Sequence, residues 1–379
     1  MLKLDNRTTI SFIDGKWQAP VDFKDSFVCK IFNKCIVNKY QNYESSYVCD
    51  EDIINKRILG KGHIGQANLL MIESSYRDRE KAESWFCAYT WEGFSTECLK
   101  DRRCFTVLNQ ADPGTQAFLC KKMTKNYLAV LKSRLYSDYL PFEMLSRYDM
   151  KRKPENADLT VQDSFKVIIQ KPLSIPKNLR TIFDDDDFPK DSFLQQMNTE
   201  DVYETLVYRT GQTFMVRTSA AEKSRRESRM IEGGYVLNVI ASLNPLLLDE
   251  EMDNTKLAYN VPEDKVNGPF YVCLGDLTRD MQQVTLAGGV YCIQNKALNR
   301  DLRCSSVVGP IVQDDPEKER LFAFVPIDEV PYKGWYSDCP RTIRGEVLKE
   351  VENVLENPKK YHSADNPPFI VMPLEKDEL

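Results

Sequence analysis

Histidine is the residue that this sequence most clearly lacks. His63 and His362 are the only two among 379 residues. Imidazole is the side chain that titrates nearest to neutral pH and the commonest general acid or base. Its scarcity argues against catalytic triads, histidine-rich metal centres and ordinary acid–base catalysis. We therefore predict that the protein is not an enzyme and that it uses no cofactor and no metal ion.

Long apolar runs are also missing. The longest compact one, residues 235–248, is interrupted by Asn238, Ser242, Asn244 and Pro245, whereas a bilayer-spanning helix needs about 20 apolar residues. We expect no membrane span. The net charge of −6 argues against a surface that coats nucleic acid, so no specific nucleic-acid partner is expected.

Motifs that would identify a reaction are incomplete or absent. Residues 60–65 read Gly-Lys-Gly-His-Ile-Gly, which superficially matches the phosphate loop of protein kinases. The His-Arg-Asp and Asp-Phe-Gly segments that a kinase also needs do not follow it. No Cys-x-x-Cys pair is present, which removes the commonest zinc and thiol-redox signatures.

Cysteine is plentiful by contrast. Seven of the 11 lie between Cys29 and Cys120, and four lie between Cys273 and Cys339. An odd number leaves at least one thiol that cannot pair within the chain. One interpretation is a set of buried thiols in a reducing compartment. The other is crosslinking between copies, for which the candidates are Cys29, Cys35, Cys49 and Cys339.

An acidic run and two basic runs complete the charged features. Four aspartates between Phe183 and Phe188 could bind calcium, but a solvated acidic loop is the favoured interpretation. If that loop is ordered, its charges could meet arginines of another molecule. The candidate lattice contacts are Asp184, Asp185, Asp186 and Asp187 with Arg225 and Arg226, which belong to the basic run 223–229. The second basic run, residues 151–154, lies at a polar connector.

The periodicity of apolar residues gives a coarse secondary structure. Strands are predicted at residues 9–13, 26–32, 165–170, 270–274, 284–293 and 321–325, where β-branched and aromatic residues are enriched. Helices are predicted at residues 66–91, 115–145, 201–208, 220–230 and 344–355. The predicted fold class is α+β, predominantly helical, with short strands in the N- and C-terminal regions.

Four regions follow from these elements and from the cysteine distribution. Residues 1–49 form a strand-rich N-terminal arm, and residues 50–150 form a helical, cysteine-bearing region. Residues 151–265 form a cysteine-free and mainly helical middle, and residues 266–379 form a mixed α/β C-terminal region.

The scarcity of catalytic groups and the separated cysteine clusters resemble, in overall character, a viral occlusion-body protein of the polyhedrin type, such as one from a nudivirus. That resemblance implies a self-assembling structural protein whose crystalline lattice protects embedded virions and dissolves at alkaline pH. Its partners would be further copies of itself, through exchanged arms and disulfides, and the virions. Its location would be the nucleus of the infected cell and the occlusion body.

The chain ends support an alternative from another class. The final residues, 376–379, read Lys-Asp-Glu-Leu, which returns soluble proteins to the endoplasmic reticulum. A retained lumenal protein, such as a thiol enzyme or a folding factor, is the alternative function and location. The first nine residues are too polar for a signal peptide, which counts against it. A cytosolic enzyme with a carboxylate site is a third possibility.

Overall fold

The structure is a computed structural model that describes residues 2–3, 8–22, 25–28, 43–49, 69–74, 84–90, 115–124, 128, 131, 143–144, 165–170, 201–218, 226–243, 254–279, 288–314 and 322–361. Strands in the N-terminal part are β1 (Leu2–Lys3), β2 (Thr8–Ile10), β3 (Phe12–Ile13), β4 (Lys16–Trp17), β5 (Val21–Asp22), β6 (Tyr43–Cys49), β7 (Leu69–Ser74), β8 (Ser84–Tyr89), β9 (Gln116–Met123) and β10 (Glu143–Met144).

The remaining strands are β11 (Phe165–Gln170), β12 (Thr213–Arg217), β13 (Ser228–Ile231), β14 (Gly234–Ser242), β15 (Leu257–Val261), β16 (Tyr271–Gly275), β17 (Gly288–Gln294), β18 (Ser306–Val308), β19 (Ile311–Asp314) and β20 (Phe322–Phe324). The helices are α1 (Val202–Thr210), α2 (Lys296–Cys304), α3 (Tyr332–Trp335), α4 (Arg341–Glu356) and α5 (Pro358–Tyr361), with a 3-10 turn at Ile327–Glu329.

Among the described residues the fold is mixed α/β with more strand than helix, so the prediction of a predominantly helical α+β fold is wrong. Ten strands form one sheet in the order β11-β17-β16-β15-β12-β14-β13-β19-β20, with β18 paired to β14. The sheet is mixed, because β12–β14 and β13–β19 are parallel and the other neighbours are antiparallel.

Both faces of this sheet are buried in its centre, as alternate residues show. In β12, Phe214 and Val216 join a cluster with Val202 and Leu206 of α1, whereas Met215 between them joins the larger core on the other face. The same period of two sorts the buried residues of β14 to β17. Strands buried on both sides read as continuous apolar runs, which resemble buried helices in sequence.

A second sheet has eight strands in the order β10-β6-β7-β8-β9-β1-β2-β5. It meets the first sheet at Phe86 of β8, whose ring lies 5.2 Å from that of Tyr291 in β17. A disulfide joins Cys87 to Cys120, which lie directly opposite each other in β8 and β9. Strands β7, β8 and β9 occupy parts of the two segments that were predicted to be helical, 66–91 and 115–145. The helix predictions are wrong over those parts.

The C-terminal helices pack on the other core face. Val347, Val351 and Val354 of α4 are buried there, which confirms the predicted amphipathic helix at residues 344–355. A disulfide between Cys304 at the end of α2 and Cys339 before α4 ties this helical segment to α2, which is followed by strand β18 of the ten-stranded sheet. Within the described residues no helix is long and apolar enough to cross a membrane.

Other local predictions also held. The strand at residues 165–170 is β11, the predicted 201–208 helix is α1, and the 344–355 helix is α4. The predicted helix at 220–230 is instead strand β13 over its described C-terminal part. The division of the chain into four regions stays a prediction.

Candidate functional site

One edge of the ten-stranded sheet gathers charged residues. Strand β12 ends there at Arg217, opposite Leu257 where β15 begins. Strand β16 ends at Gly275, opposite Val290 near the start of β17. The segments beyond these strand ends, residues 254–256 and 276–279, therefore lie side by side. Loops held by a rigid sheet are where proteins most often place reactive groups.

Helix α1 brings two carboxylates to this edge. Asp201 is its N-cap and accepts hydrogen bonds from the backbone N–H groups of Tyr203 and Glu204, each at 2.9 Å. The Glu204 side chain accepts in return from the Asp201 N–H at 3.2 Å. This reciprocal pair is a capping box, and it satisfies N–H groups that a helix start leaves without partners. It also fixes both carboxylates in one orientation.

The same carboxylates bind two buried arginines. Arg279 donates through Nε to Asp201 Oδ2 at 2.9 Å and through Nη2 to Glu204 Oε1 at 3.2 Å. Arg226 donates through Nη2 to Glu204 Oε2 at 3.0 Å. All four residues are buried, and Arg279 has no exposed surface. Charges are rarely buried this deeply unless they are paired. We call these four residues the ion-pair cluster.

Arg279 also fixes the segment that carries it. Its Nη1 donates to Asn238 Oδ1 of β14 at 2.6 Å, and its backbone N–H donates to Thr218 Oγ1 at 3.2 Å. Its carbonyl accepts from the Arg226 N–H at 2.8 Å. Earlier in the segment, the Leu277 carbonyl accepts from the Tyr203 hydroxyl at 2.7 Å. Residues 276–279 are thus held by α1 and by three neighbouring parts of the sheet.

Lys256 and Asp276 lie at the start of this segment. The Lys256 ammonium is buried and donates to the main-chain oxygen of Asp276 at 2.9 Å. The Asp276 carboxylate accepts from the backbone N–H of Gly289 at 3.0 Å and from the Tyr291 hydroxyl at 2.8 Å. The Asn254 N–H bonds the Thr115 carbonyl at 2.9 Å, which brings the second sheet to the same place.

The backbone at Lys256 is unusual, with φ at 42°. A side chain at positive φ costs energy, and such residues concentrate at functional sites. Among the described residues, the other non-glycine with positive φ is Asp14, which forms a tight hairpin turn with Gly15 between β3 and β4. Lys256 has no such turn to explain it. The deviation and the burial together make Lys256 the leading candidate for a functional cation.

The surroundings shift the pKa values of the two α1 carboxylates in opposite directions. Burial raises the pKa of Asp201, but the nearby Arg279 and Arg226 guanidinium groups outweigh that effect and hold its pKa below the usual value. Burial and the neighbouring Asp201 charge raise the pKa of Glu204 above its usual value. Carboxylates whose pKa values are pushed apart take different protonation states at one pH.

The residues predicted as sites have varied positions. Cys339 is bonded to Cys304 of the same chain, so in this structure it forms no bridge between copies. Arg226, a predicted lattice contact, lies buried in the ion-pair cluster. Cys49 lies in β6. The remaining predicted site residues fall outside the described residues: Cys29, Cys35, Asp184, Asp185, Asp186, Asp187 and Arg225. The two histidines, His63 and His362, also lie outside them.

The cluster and Lys256 were missed from the sequence. One signal was available, because Asp201 and Glu204 have the spacing of a capping box at the start of a predicted helix. No sequence signal distinguishes Lys256 or Arg279 from surface lysines and arginines. Their burial depends on strand pairing between residues far apart in the chain.

Two further features complete the description. A cavity of about 440 Å³ lies between the 327–334 segment and α4, and its polar lining includes Asp328, Lys333, Glu352 and Glu356. In the described ranges no group of three or more histidines, cysteines, aspartates or glutamates is arranged to hold a metal ion.

Comparison with known families gives one match. Residues 100–308 match the sequence model of the family described as Deoxyribonuclease II. No curated protein matches the chain. The matched range contains the ion-pair cluster, Lys256 and Asp276, whereas the residues that line the cavity lie beyond it.

Proposed function

Because the family match covers more than half of the 379 residues, the chain belongs to the deoxyribonuclease II family, and we propose that it binds and hydrolyses DNA. The observation that carries this proposal is the family match itself. The matched residues include those at the buried charged edge of the ten-stranded sheet. The family's chemistry is hydrolysis of DNA under acid conditions.

This membership corrects several predictions. The resemblance to a polyhedrin-type occlusion-body protein is wrong, and so are the predicted lattice function and its alternative, a retained thiol enzyme or folding factor. The prediction that the protein is not an enzyme is overturned by a family of DNA hydrolases. The expectation of no specific nucleic-acid partner is overturned because DNA is the family's substrate. Scarce histidine led to the non-enzyme prediction, because it was read as scarcity of catalysis, and the net charge of −6 led to the expectation of no nucleic-acid partner.

We assign the reaction to the corner formed by Lys256 and Asp276. Hydrolysis of a phosphodiester adds water across a P–O bond, and negative charge increases on the phosphoryl oxygens in the transition state. A cation fixed in a water-poor site stabilises that charge better than one in bulk water. Lys256 supplies such a cation in this proposal, because it is largely buried yet, unlike Arg279, keeps about 4% of its surface exposed. Its bond to the Asp276 carbonyl fixes the position of the ammonium group.

The matched range also limits which groups can move protons. Residues 100–308 contain no histidine. Within that range, the side chains that can transfer protons are carboxyl groups, cysteine thiols, lysines and tyrosines. Carboxyl groups titrate in the acid range, with usual pKa values of about 4. An acid optimum is therefore consistent with carboxyl chemistry in this family member.

The test is a DNA cleavage assay on the purified chain between about pH 4 and pH 8. We expect cleavage that is fastest at acid pH. We also expect Lys256→Met to lower kcat/KM by about 100-fold or more, since it removes charge stabilisation in the transition state. The control is Lys349→Met on the exposed face of α4, which should behave as the unaltered protein.

Two results would count against the proposal. Intact DNA at every pH would remove the hydrolytic function. Cleavage that is equally fast in Lys256→Met and Lys349→Met would leave the function standing but remove Lys256 from the site. Circular dichroism of both variants checks that the fold is intact.

Localisation stays a prediction. Three disulfides join cysteines within the described residues. Disulfides persist in secreted and lumenal proteins and are rare in the nucleus. This favours a lumenal or extracellular site of folding over the predicted nuclear one.

A further inference from the structure

We propose that Arg279 is a positioning residue for the DNA-hydrolysing site, and that Asp201 rather than Glu204 keeps it in position under acid conditions. This inference rests on the proposed function. It concerns the ion-pair cluster, whose four residues are buried and to which the family match assigns no role.

Arg279 can act only through other residues. It has no exposed surface, so its guanidinium group cannot touch DNA. Its side chain instead links α1 to β14, and its backbone is bonded to Thr218 and Arg226. These bonds fix the C-terminal end of segment 276–279. At the other end, the Asp276 carbonyl accepts from Lys256. Movement of Arg279 would therefore displace the acceptor that orients the Lys256 ammonium.

Asp201 and Glu204 hold Arg279 in different ways. Asp201 Oδ2 accepts from Arg279 Nε at 2.9 Å and has a longer ion-pair contact, 3.6 Å, with Arg226 Nε. Glu204 accepts from Arg279 at 3.2 Å, is bonded to Arg226 at 3.0 Å and lies 4.0 Å from Arg229. The shorter bond to Arg279 is the one from Asp201. The carboxylate of Glu204 is shared among three arginines.

The elements packed against Arg279 contribute further charged and titratable groups. Glu227, next to Arg226, favours the charged form of Arg279. On α1, burial and then the charges of Asp201 and Asp276 raise the pKa of Tyr203 well above its usual value, so its hydroxyl stays protonated. The groups that change charge between pH 4 and pH 7 on the guanidinium side of Arg279 are therefore carboxyls.

The two carboxyl groups of α1 take up protons at different pH values. The pKa of Glu204 is raised by burial and by Asp201, so Glu204 takes up a proton first as the pH falls. The pKa of Asp201 is lowered by Arg279 and Arg226 despite burial, so Asp201 stays ionised. Asp201 therefore keeps its charge to lower pH than Glu204 and is the α1 carboxylate that still pairs with Arg279 in acid.

The experiment compares Asp201→Asn with Glu204→Gln. Each variant removes one carboxylate charge and keeps its capping role, since asparagine is as good an N-cap as aspartate and glutamine serves in a capping box. The readout is the pH profile of kcat and of KM for DNA cleavage. The control is Glu350→Gln on the exposed face of α4.

We expect Asp201→Asn to lose activity selectively in acid. Glu204 then remains as the carboxylate partner of Arg279, but it binds Arg279 through the longer bond, is shared with Arg226 and Arg229, and takes up a proton as the pH falls. The ratio of kcat at about pH 4 to kcat at about pH 7 should therefore fall at least about tenfold. Glu204→Gln should keep the acid activity of the unaltered protein within about threefold, because Asp201 still holds Arg279 through the shorter bond. The effect should appear in kcat, since Arg279 does not touch DNA.

The proposal is overturned if the two variants have parallel pH profiles, or if Glu204→Gln is the one that loses acid activity. A loss at all pH values in Asp201→Asn alone would indicate a merely structural role and would also overturn it. Should the unaltered chain leave DNA intact, amide hydrogen exchange of residues 275–279 at acid pH replaces the assay. Faster exchange in Asp201→Asn than in Glu204→Gln supports the positioning role, and equal exchange refutes it.

Discussion

Gly275 shows how closely α1 and the sheet approach. A Cβ atom at this position would collide with the Tyr203 ring, whose hydroxyl bonds the Leu277 carbonyl two residues further on. The ring and the strand end therefore fit only when residue 275 has no side chain. The first methyl group at this position must displace either the ring or segment 276–279.

We predict that Gly275→Ala lowers the free energy of unfolding by about 1–3 kcal/mol through overpacking. Gly345→Ala in α4 is the matched control, because a Cβ there meets no atom within 4 Å. Alanine in an exposed helix interior should raise stability by about 0.5–1 kcal/mol. Urea denaturation of the two variants measures both changes. Equal stability of both variants would mean that the close approach is not maintained in solution.

For single residues, the sequence predicts local hydrogen bonding such as a helix cap, but it does not predict which charged residues are buried. The α1 start is encoded by Asp201 and Glu204, whose short polar side chains satisfy helix N–H groups wherever the helix lies. The position of Arg279 depends on contacts with residues up to 78 positions away along the chain. Nothing in the neighbouring sequence reports such a contact.

Helices and strands also differ in how well the sequence predicts them. Helix α4 was predicted because its valines repeat with helical spacing and Asn357 and Pro358 follow its end. Strand β9 was predicted as helix because Phe118, Leu119 and Met123 also fit that spacing. Its pairing with β8, and the Cys87–Cys120 disulfide, decide the strand instead. Strand preference is largely a property of the neighbours a segment finds.

At the element scale, the Cys304–Cys339 disulfide anchors the C-terminal helices. It closes a loop with a sequence separation of 35 residues, and chain-entropy arguments give such a crosslink about 3–4 kcal/mol of stability. We predict that replacing both cysteines by alanine lowers the free energy of unfolding by an amount of this order. Hydrogen exchange should quicken in α4 before it quickens in the central strands β15 and β16.

The Arg303–Asp338 ion pair provides the comparison. Arg303 Nη2 donates to Asp338 Oδ2 at 2.7 Å beside the disulfide, so it still links α2 to the α4 segment after the cysteines are replaced. If exchange in α4 is unchanged in the alanine variant, this pair and the buried valines suffice to hold the segment.

The pH dependence of folding follows from α1. Asp201 has a folded pKa below its ordinary value of 3.8, so its contribution to stability is present above that value and is lost as the pH falls through the folded pKa. Glu204 has a folded pKa above its ordinary value of 4.5, so its contribution is present below that value and is lost as the pH rises through the folded pKa. Both contributions coexist in acid, between the two folded pKa values.

The charge of the whole molecule depends strongly on pH. At neutral pH, 57 acidic residues outnumber 51 basic ones, and the net charge of −6 repels DNA. Near pH 4.3 about half of the carboxylates are protonated, so the net charge becomes roughly +20. A polyanion is then attracted to the protein as a whole.

We therefore predict that DNA affinity rises as the pH falls from about 7 to about 4.5, and that it weakens steeply with added salt in the acid range. Fluorescence anisotropy with a labelled duplex and the Lys256→Met variant separates binding from cleavage. Affinity that is independent of pH would indicate a local basic surface instead of whole-molecule charge.

Two of the disulfides have a further consequence for how the sheets assemble. Cys87 faces Cys120 across β8 and β9, and Cys273 faces Cys292 across β16 and β17, each as direct partners in register. A slip of one residue would turn every side chain of the strand to the opposite face. It would also point one thiol of the pair away from the other. Disulfide formation in each sheet therefore selects the native register, because the bond forms when the two cysteines lie directly opposite each other.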